Sequence, residues 1–132
     1  MKKASEIGAR ATVTATVTER LTAKVMGSGS LPVLATPAVA ALMEKAACEV
    51  LSDTLDDGIT TVGTQISIEH LSASPIGAEI SVTAVLTVID GRKYCFDLTA
   101  SDNAGLIAKG THQRFAVKSE RFLEKAAEKL SV

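Results

Sequence analysis

The chain has 132 residues, 46% of them hydrophobic and 22% charged, and its 14 basic and 15 acidic residues leave a formal net charge of −1. A chain of that length buries roughly two thirds of its unfolded surface, so a single domain over residues 1–132 is expected without help from metals or disulfides. The composition excludes disorder, and the balanced charge lacks the basic surface by which proteins neutralise nucleic-acid phosphates.

Met1-Lys2-Lys3 is charged, but no apolar run of signal-peptide type follows it. The longest apolar stretch, residues 33–42, is interrupted by Thr36 and Pro37. Neither a signal peptide nor a membrane span is expected, and the chain reads as a soluble cytoplasmic protein. Residues 11–18 alternate Ala-Thr-Val-Thr-Ala-Thr-Val-Thr. This period of two predicts a half-buried strand with Val13, Ala15 and Val17 inward, continuing through Leu21 to Val25. Met26-Gly-Ser-Gly-Ser30 predicts a flexible loop.

Thr36-Pro37 predicts a helix start, with threonine as N-cap and proline in the first turn. Strong helix formers carry the helix from Ala38 to about Leu51 or Leu55, and Asp56-Asp57-Gly58 closes it. From Pro37 through Cys48 its only charges are Glu44 and Lys45. A helix apolar nearly all round is buried on most sides, so the rest of the chain should wrap it.

Residues 64–71 alternate, with Ile66, Ile68 and His70 on one face. Residues 78–89 alternate again, with Ile80, Val82, Ala84, Leu86 and Val88 together. Asp90-Gly91 is a two-residue hairpin signal. Residues 93–101 set Tyr94, Phe96 and Leu98 on one face, Asp102-Asn103-Ala104-Gly105 turns the chain, and residues 106–117 form the last strand. A charged amphipathic helix over residues 119–130 ends the series. The expected class is α+β: an antiparallel sheet wrapped around one long central helix, with a short C-terminal helix. Its exposed edges make a homodimer, with higher assembly open, the expected state.

Several residues could carry chemistry. Glu44 is a carboxylate on a helix expected to be buried, which costs several kcal/mol unless it is paired or protonated. Its alternative is a solvated edge and a lysine partner. His70 faces the helix with Ile66 and Ile68, either as a hydrogen-bonded core residue or as an acid–base group. Thr36 either caps the helix or positions a carbonyl at its N-terminus. His112 and Arg114 share a face of the last strand with Ala108, Gly110 and Ala116, and His112 reads as structural. Cys48 and Cys95 are too few for a disulfide scaffold and read as half-buried reduced thiols. No P-loop, dinucleotide fingerprint, nucleophile elbow or metal-ligand spacing is present, and no metal or other cofactor is expected.

Three stretches resemble the fluoroacetyl-CoA thioesterase family of the hotdog fold: Thr36-Pro-Ala-Val-Ala-Ala-Leu-Met-Glu44, Val62-Gly-Thr-Gln-Ile-Ser-Ile-Glu-His70 with Ser74-Pro75 and Gly77 after it, and Gly110-Thr-His-Gln-Arg114. The resemblance runs over residues 31–122. It implies a hotdog acyl-CoA thioesterase with catalytic roles on Thr36, Glu44 and His70, a backbone N–H at Gly63 facing the thioester carbonyl, and sites at a dimer interface. Residues 27–35 carry no aromatic side chain, so the resemblance carries the reaction class and not the fluoroacetyl group. A non-catalytic acyl-CoA-binding domain and an acyl-thioester hydratase or dehydratase are the alternatives on the same fold. Arg92, Lys93, Arg114 and Lys118 are the basic residues available to CoA phosphates at the rim. Thr36 and Glu44 lie eight residues apart, about 12 Å along a helix. A small acyl group cannot easily touch both from one chain: either His70 spans the gap, since the Glu44 side chain leans back towards the helix N-terminus, or partner chains supply different members, and a site shared between subunits is expected.

Overall fold

Alternating strands separated by tight turns pair most simply with their neighbours in sequence, and the computed structural model, which describes residues 4–131, largely follows that rule. Strands β1 (Arg10–Thr16), β2 (Ile59–His70), β3 (Glu79–Asp90), β4 (Lys93–Asp102) and β5 (Gly105–Lys118) form one antiparallel sheet in the order β1-β3-β4-β5-β2. β3, β4 and β5 are a meander. β2 pairs only with β5, so β1 and β2 are the two edges. The long helix α2 (Thr36–Leu51) lies across the sheet, packed chiefly on β3 and β1, and α3 (Ser119–Ala127) follows β5 directly. This is the expected α+β arrangement.

The core lies between one face of α2 and the inward face of the sheet. Ala38, Val39, Met43, Ala46, Ala47 and Leu51 on the helix meet Ile80, Val82, Ala84, Leu86, Phe96 and Leu98. The small helix residues let α2 sit close to the strands, and Met43 fills the centre with no exposure. Truncating Met43 to alanine would cost about 2–5 kcal/mol.

The structure corrects several expectations. The sheet covers the inward side of α2 as expected, while Pro37, Ala41, Lys45, Cys48 and Glu49 on its other side are exposed, because one curled sheet covers only one side of a helix. Cys48 is exposed rather than half-buried, and both cysteines are free thiols. The first strand does not continue beyond Thr16. Residues Glu19–Leu21 form a 3-10 turn, and α1 (Ala23–Met26) follows, capped by the Thr22 hydroxyl and closed by Gly27 at φ +77°. Val88 leaves the inward set because the β3–β4 register slips between Leu86 and Val88. The first hairpin loop is Gly91–Arg92 rather than Asp90-Gly91, since Asp90 pairs with Lys93.

The segment before α2 is pinned. Leu34 N–H donates to Ser74 O and Ala35 N–H to Leu21 O, at 2.9 and 2.8 Å. The Ser74 hydroxyl, itself buried, donates to Asp102 at 2.8 Å. A backbone hydrogen bond from Ala104, helped by Ser74, holds the Asp102 carboxyl below its ordinary range. Two loops and the last hairpin are thereby tied together at the N-terminal end of α2.

Candidate active site

Ala35, not Thr36, occupies the N-cap position of α2. Its backbone is extended and its N–H is held by Leu21, so Thr36 is already the first helical residue and Pro37 the second. The expectation that Thr36 caps the helix is therefore corrected. Its hydroxyl lies 2.7 Å from Nδ1 of His70, the last residue of β2. The other ring nitrogen of His70, Nε2, is buried without a hydrogen-bond partner among the described residues. Such an orphan costs about 1–3 kcal/mol and marks a place for a polar ligand atom. Thr36 and His70 line a cleft of about 270 Å³ whose other walls include Ala23, Val33, Leu34 and Leu71.

Two turns further along α2, Glu44 points to a second cluster. Its Oε2 is 3.2 Å from NH1 of Arg114, the one ion pair among the described residues. The Glu44 side chain is 45% exposed, so it is not the buried carboxylate the apolar helix led us to expect.

Gly63 lies against this carboxylate. A Cβ added there would sit 2.6 Å from Glu44 Oε2 and 3.2 Å from Arg114 NH1. Any side chain would displace Glu44, which gives this glycine a physical reason. The β2–β5 register also slips between Gly63 and Gln65, leaving Thr64 as the extra residue of a bulge. Bulges re-aim edge-strand groups and recur beside active sites.

Arg114 does not stand at a rim. Its side chain is 7% exposed and turned to the helix side of the sheet. Nε donates to the Thr61 hydroxyl and NH2 to the Thr61 carbonyl, both at 2.9 Å, and NH1 also lies 3.1 Å from Nε2 of His112. His112 is 1% exposed, with Nδ1 2.7 Å from the Gln65 carbonyl. Burial pushes its pKa below the ordinary value, opposed by the Gln65 carbonyl and aided by Arg114. Thr61 escaped the sequence reading. Only the pairing of β2 with β5 brings it beside Arg114.

Thr36 and His70 thus meet, and Glu44, Gly63 and Arg114 meet, but no hydrogen bond joins the two groups. A groove of about 860 Å³ between α3 and the entry to β2 is lined by both acids and bases and touches none of Thr36, Glu44 or His70. A smaller groove of about 350 Å³ is lined by Arg92, Lys118, Arg121 and Lys125 with Val117 and Phe122, and no acid. Among the described residues no three His, Cys, Asp or Glu side chains gather as a metal site, and no helix is long and apolar enough to cross a membrane.

Known proteins resemble this chain in sequence and fold. The profile of the fluoroacetyl-CoA-specific thioesterase family, FlK, matches residues 17–120. The fluoroacetyl-CoA thioesterase of Streptantibioticus cattleyicolor is 34% identical over 97 residues, which cover 74% of this chain and 70% of that protein. A crystal structure of an FlK mutant in complex with fluoroacetate and CoA superposes with a TM-score of 0.85 at 29% identity, covering 89% of this chain and 98% of that one. A hot-dog-like protein from Thermanaerovibrio acidaminovorans, 20% identical with a TM-score of 0.85 over 93% and 91% of the two chains, shares the fold. The chain belongs to the fluoroacetyl-CoA-specific thioesterase family, thioester hydrolases of the hotdog fold.

Proposed function

We propose that the protein hydrolyses a small acyl-CoA thioester to the free acid and CoA, at a site completed by a second copy of the chain. The observation that carries this reading is the Thr36–His70 hydrogen bond of 2.7 Å beside a cleft, which leaves a buried imidazole nitrogen unpartnered. Glu44 is the reacting carboxylate. As nucleophile it adds to the thioester carbonyl and expels CoA thiolate, and water then cleaves the anhydride. As general base it takes the proton of a water that adds instead. Thr36 and the Gly63 N–H steady the oxyanion, and His70 handles the proton that reaches the leaving sulfur.

What one chain leaves open supports the dimer. β2 is a twelve-residue edge strand, and the uncovered side of α2 carries Ala41 and Cys48 beside half-exposed Glu44. Antiparallel pairing of β2 with its copy about Ser67 covers that edge. Four residues lead from Ser67 back to Gly63, one of them the extra residue of the bulge, and three lead on to His70. Each Gly63–Thr64 bulge would then face the partner subunit's His70, and Glu44 would meet the partner's Thr36–His70 pair.

Arg114, expected at a rim, is buried beside Glu44, so we read the CoA phosphates as held elsewhere. The groove formed by Arg92, Lys118, Arg121 and Lys125, with Phe122 available to stack, suits the phosphates and adenine of CoA better. This reading makes the protein a soluble cytoplasmic enzyme acting on a diffusible thioester.

Thiol release across a panel of short acyl-CoAs tests the function. Wild type should release CoA, and Glu44→Gln should lose about 10²- to 10⁴-fold in kcat. Binding without release from any acyl-CoA would favour a non-catalytic domain. Loss of an enoyl-CoA double bond without thiol release would favour a hydratase.

A further inference from the structure

Arg114 is fixed before it reaches Glu44. Thr61 takes its Nε and one NH2 hydrogen, both at 2.9 Å, and His112 faces NH1 at 3.1 Å. The state of His112 follows from its partners. The Gln65 carbonyl can only accept, so Nδ1 carries the hydrogen. Arg114 NH1 can only donate, so Nε2 offers its lone pair. The ring is therefore neutral, and both NH1 hydrogens are accounted for, one by His112 and one by Glu44 Oε2. Glu44 Oε1 has no hydrogen-bond partner among the described residues, which leaves it to react.

We propose that His112 and Arg114 are positioning residues for Glu44, with neutral His112 as the acceptor that sets the guanidinium in the orientation gripping Oε2. This rests on the reading of Glu44 as the reacting carboxylate. Two charged groups reach the His112 ring, Arg114 on its own strand and Glu44 from α2. β2 brings the Gln65 carbonyl and β4 the Phe96 ring, with centroids 6.1 Å apart, and neither ionises. Protonating Nε2 would set two donors and two positive charges face to face. The guanidinium would swing from that contact and release Oε2. Hydrolysis should therefore have an acid limb that follows His112.

The test measures kcat and KM against pH for wild type, His112→Phe, His112→Gln, Arg114→Lys and Glu44→Gln, together with the NMR titration of the His112 ring. His112→Phe keeps the packing on Phe96 but removes the acceptor, and should lose about 10- to 100-fold in kcat with little change in KM. His112→Gln offers an amide oxygen to NH1, and should recover most of that loss without the wild-type acid limb. Arg114→Lys loses the fork and should resemble His112→Phe. In Glu44→Gln the His112 titration should move to lower pH, because the Glu44 charge raises it in wild type.

Wild-type kcat and acid limb in His112→Phe would overturn the proposal. If that variant does not fold, an unchanged acid limb in His112→Gln overturns it equally. A His112 titration that ignores Glu44→Gln would overturn the contact itself, whatever the activities. Full hydrolysis by Glu44→Gln would instead sink the role of Glu44, a different failure that the same panel reveals.

Discussion

The Thr36 hydroxyl lies 2.7 Å from Nδ1 of His70, while the cap position of the helix that Thr36 begins belongs to Ala35. A threonine before a proline at a helix start ordinarily serves the backbone. Here the backbone of Ala35 is held by Leu21 from another loop, and the hydroxyl is left for a ring 34 residues away.

That arrangement separates stability from activity. Thr36→Val keeps the shape, removes the hydroxyl and breaks no cap. We predict a loss in unfolding free energy of about 0.5–1.5 kcal/mol, the net worth of the one hydrogen bond to His70, and a loss in kcat of roughly a hundredfold. Thr36→Ser should retain most of the rate. Thermal melts beside thiol-release kinetics read both, and a large loss of stability with little loss of rate would return Thr36 to a capping role.

Gly63 has no room for a methyl group, since its Cβ would meet Glu44 Oε2 at 2.6 Å. The far end of a half-exposed side chain can move aside, so Gly63→Ala should fold. It should nevertheless lose at least about tenfold in kcat, because displacing a reacting group by about 1 Å is costly. A Gly63→Ala enzyme with wild-type rates would separate Gly63 from the site. Gly110→Ala differs in kind. Its Cβ would strike the Ser67 carbonyl on the neighbouring strand, so the expected loss is in folding.

Much of the fold was legible because its signals are local. Val13, Ala15, Ile80, Val82, Ala84 and Leu86 fall inward as their alternation required. Val88 did not, because a register slip in the sheet leaves no mark in a run of apolar residues. Glu44 was expected to be buried because its helix is apolar nearly all round. One chain covers only one side of that helix, and the uncovered side is where a second copy is proposed. Arg114 was assigned to a rim by its charge, although its alternation with His112 and Ala116 already pointed it inward. Its partners Thr61 and Glu44 lie 53 and 70 residues away, beyond the reach of any local pattern.

The neutral His112 predicts a pH effect on stability. Its folded pKa lies below the ordinary 6.5 because burial disfavours the imidazolium. As pH falls through about 6.5 the unfolded chain binds a proton on this ring and the folded protein does not. The contribution is complete above that pH and is lost as pH drops towards the folded value. Melting temperatures at pH 7.5 and 5.5 should fall more for wild type than for His112→Gln. Equal falls would mean that His112 titrates normally.

The basic groove makes its own prediction. Arg121→Glu combined with Lys125→Glu should raise KM for acyl-CoA roughly tenfold, about 1.4 kcal/mol, and leave hydrolysis of the matching acyl-pantetheine unchanged. An unaltered KM for acyl-CoA would place the nucleotide elsewhere.

Mixing two inactive enzymes shows whether Glu44 and His70 of one site come from different subunits. Glu44→Gln and His70→Ala are each purified, unfolded together and refolded as a mixture. Random pairing gives half mixed dimers, and in each the wild-type Glu44 of one subunit meets the wild-type His70 of its partner at one of two sites. We predict recovery of about one quarter of wild-type activity, as two-fold symmetry requires. If mixed dimers form and the mixture stays as inactive as its parents, Glu44 and His70 act within one chain and the shared site is wrong.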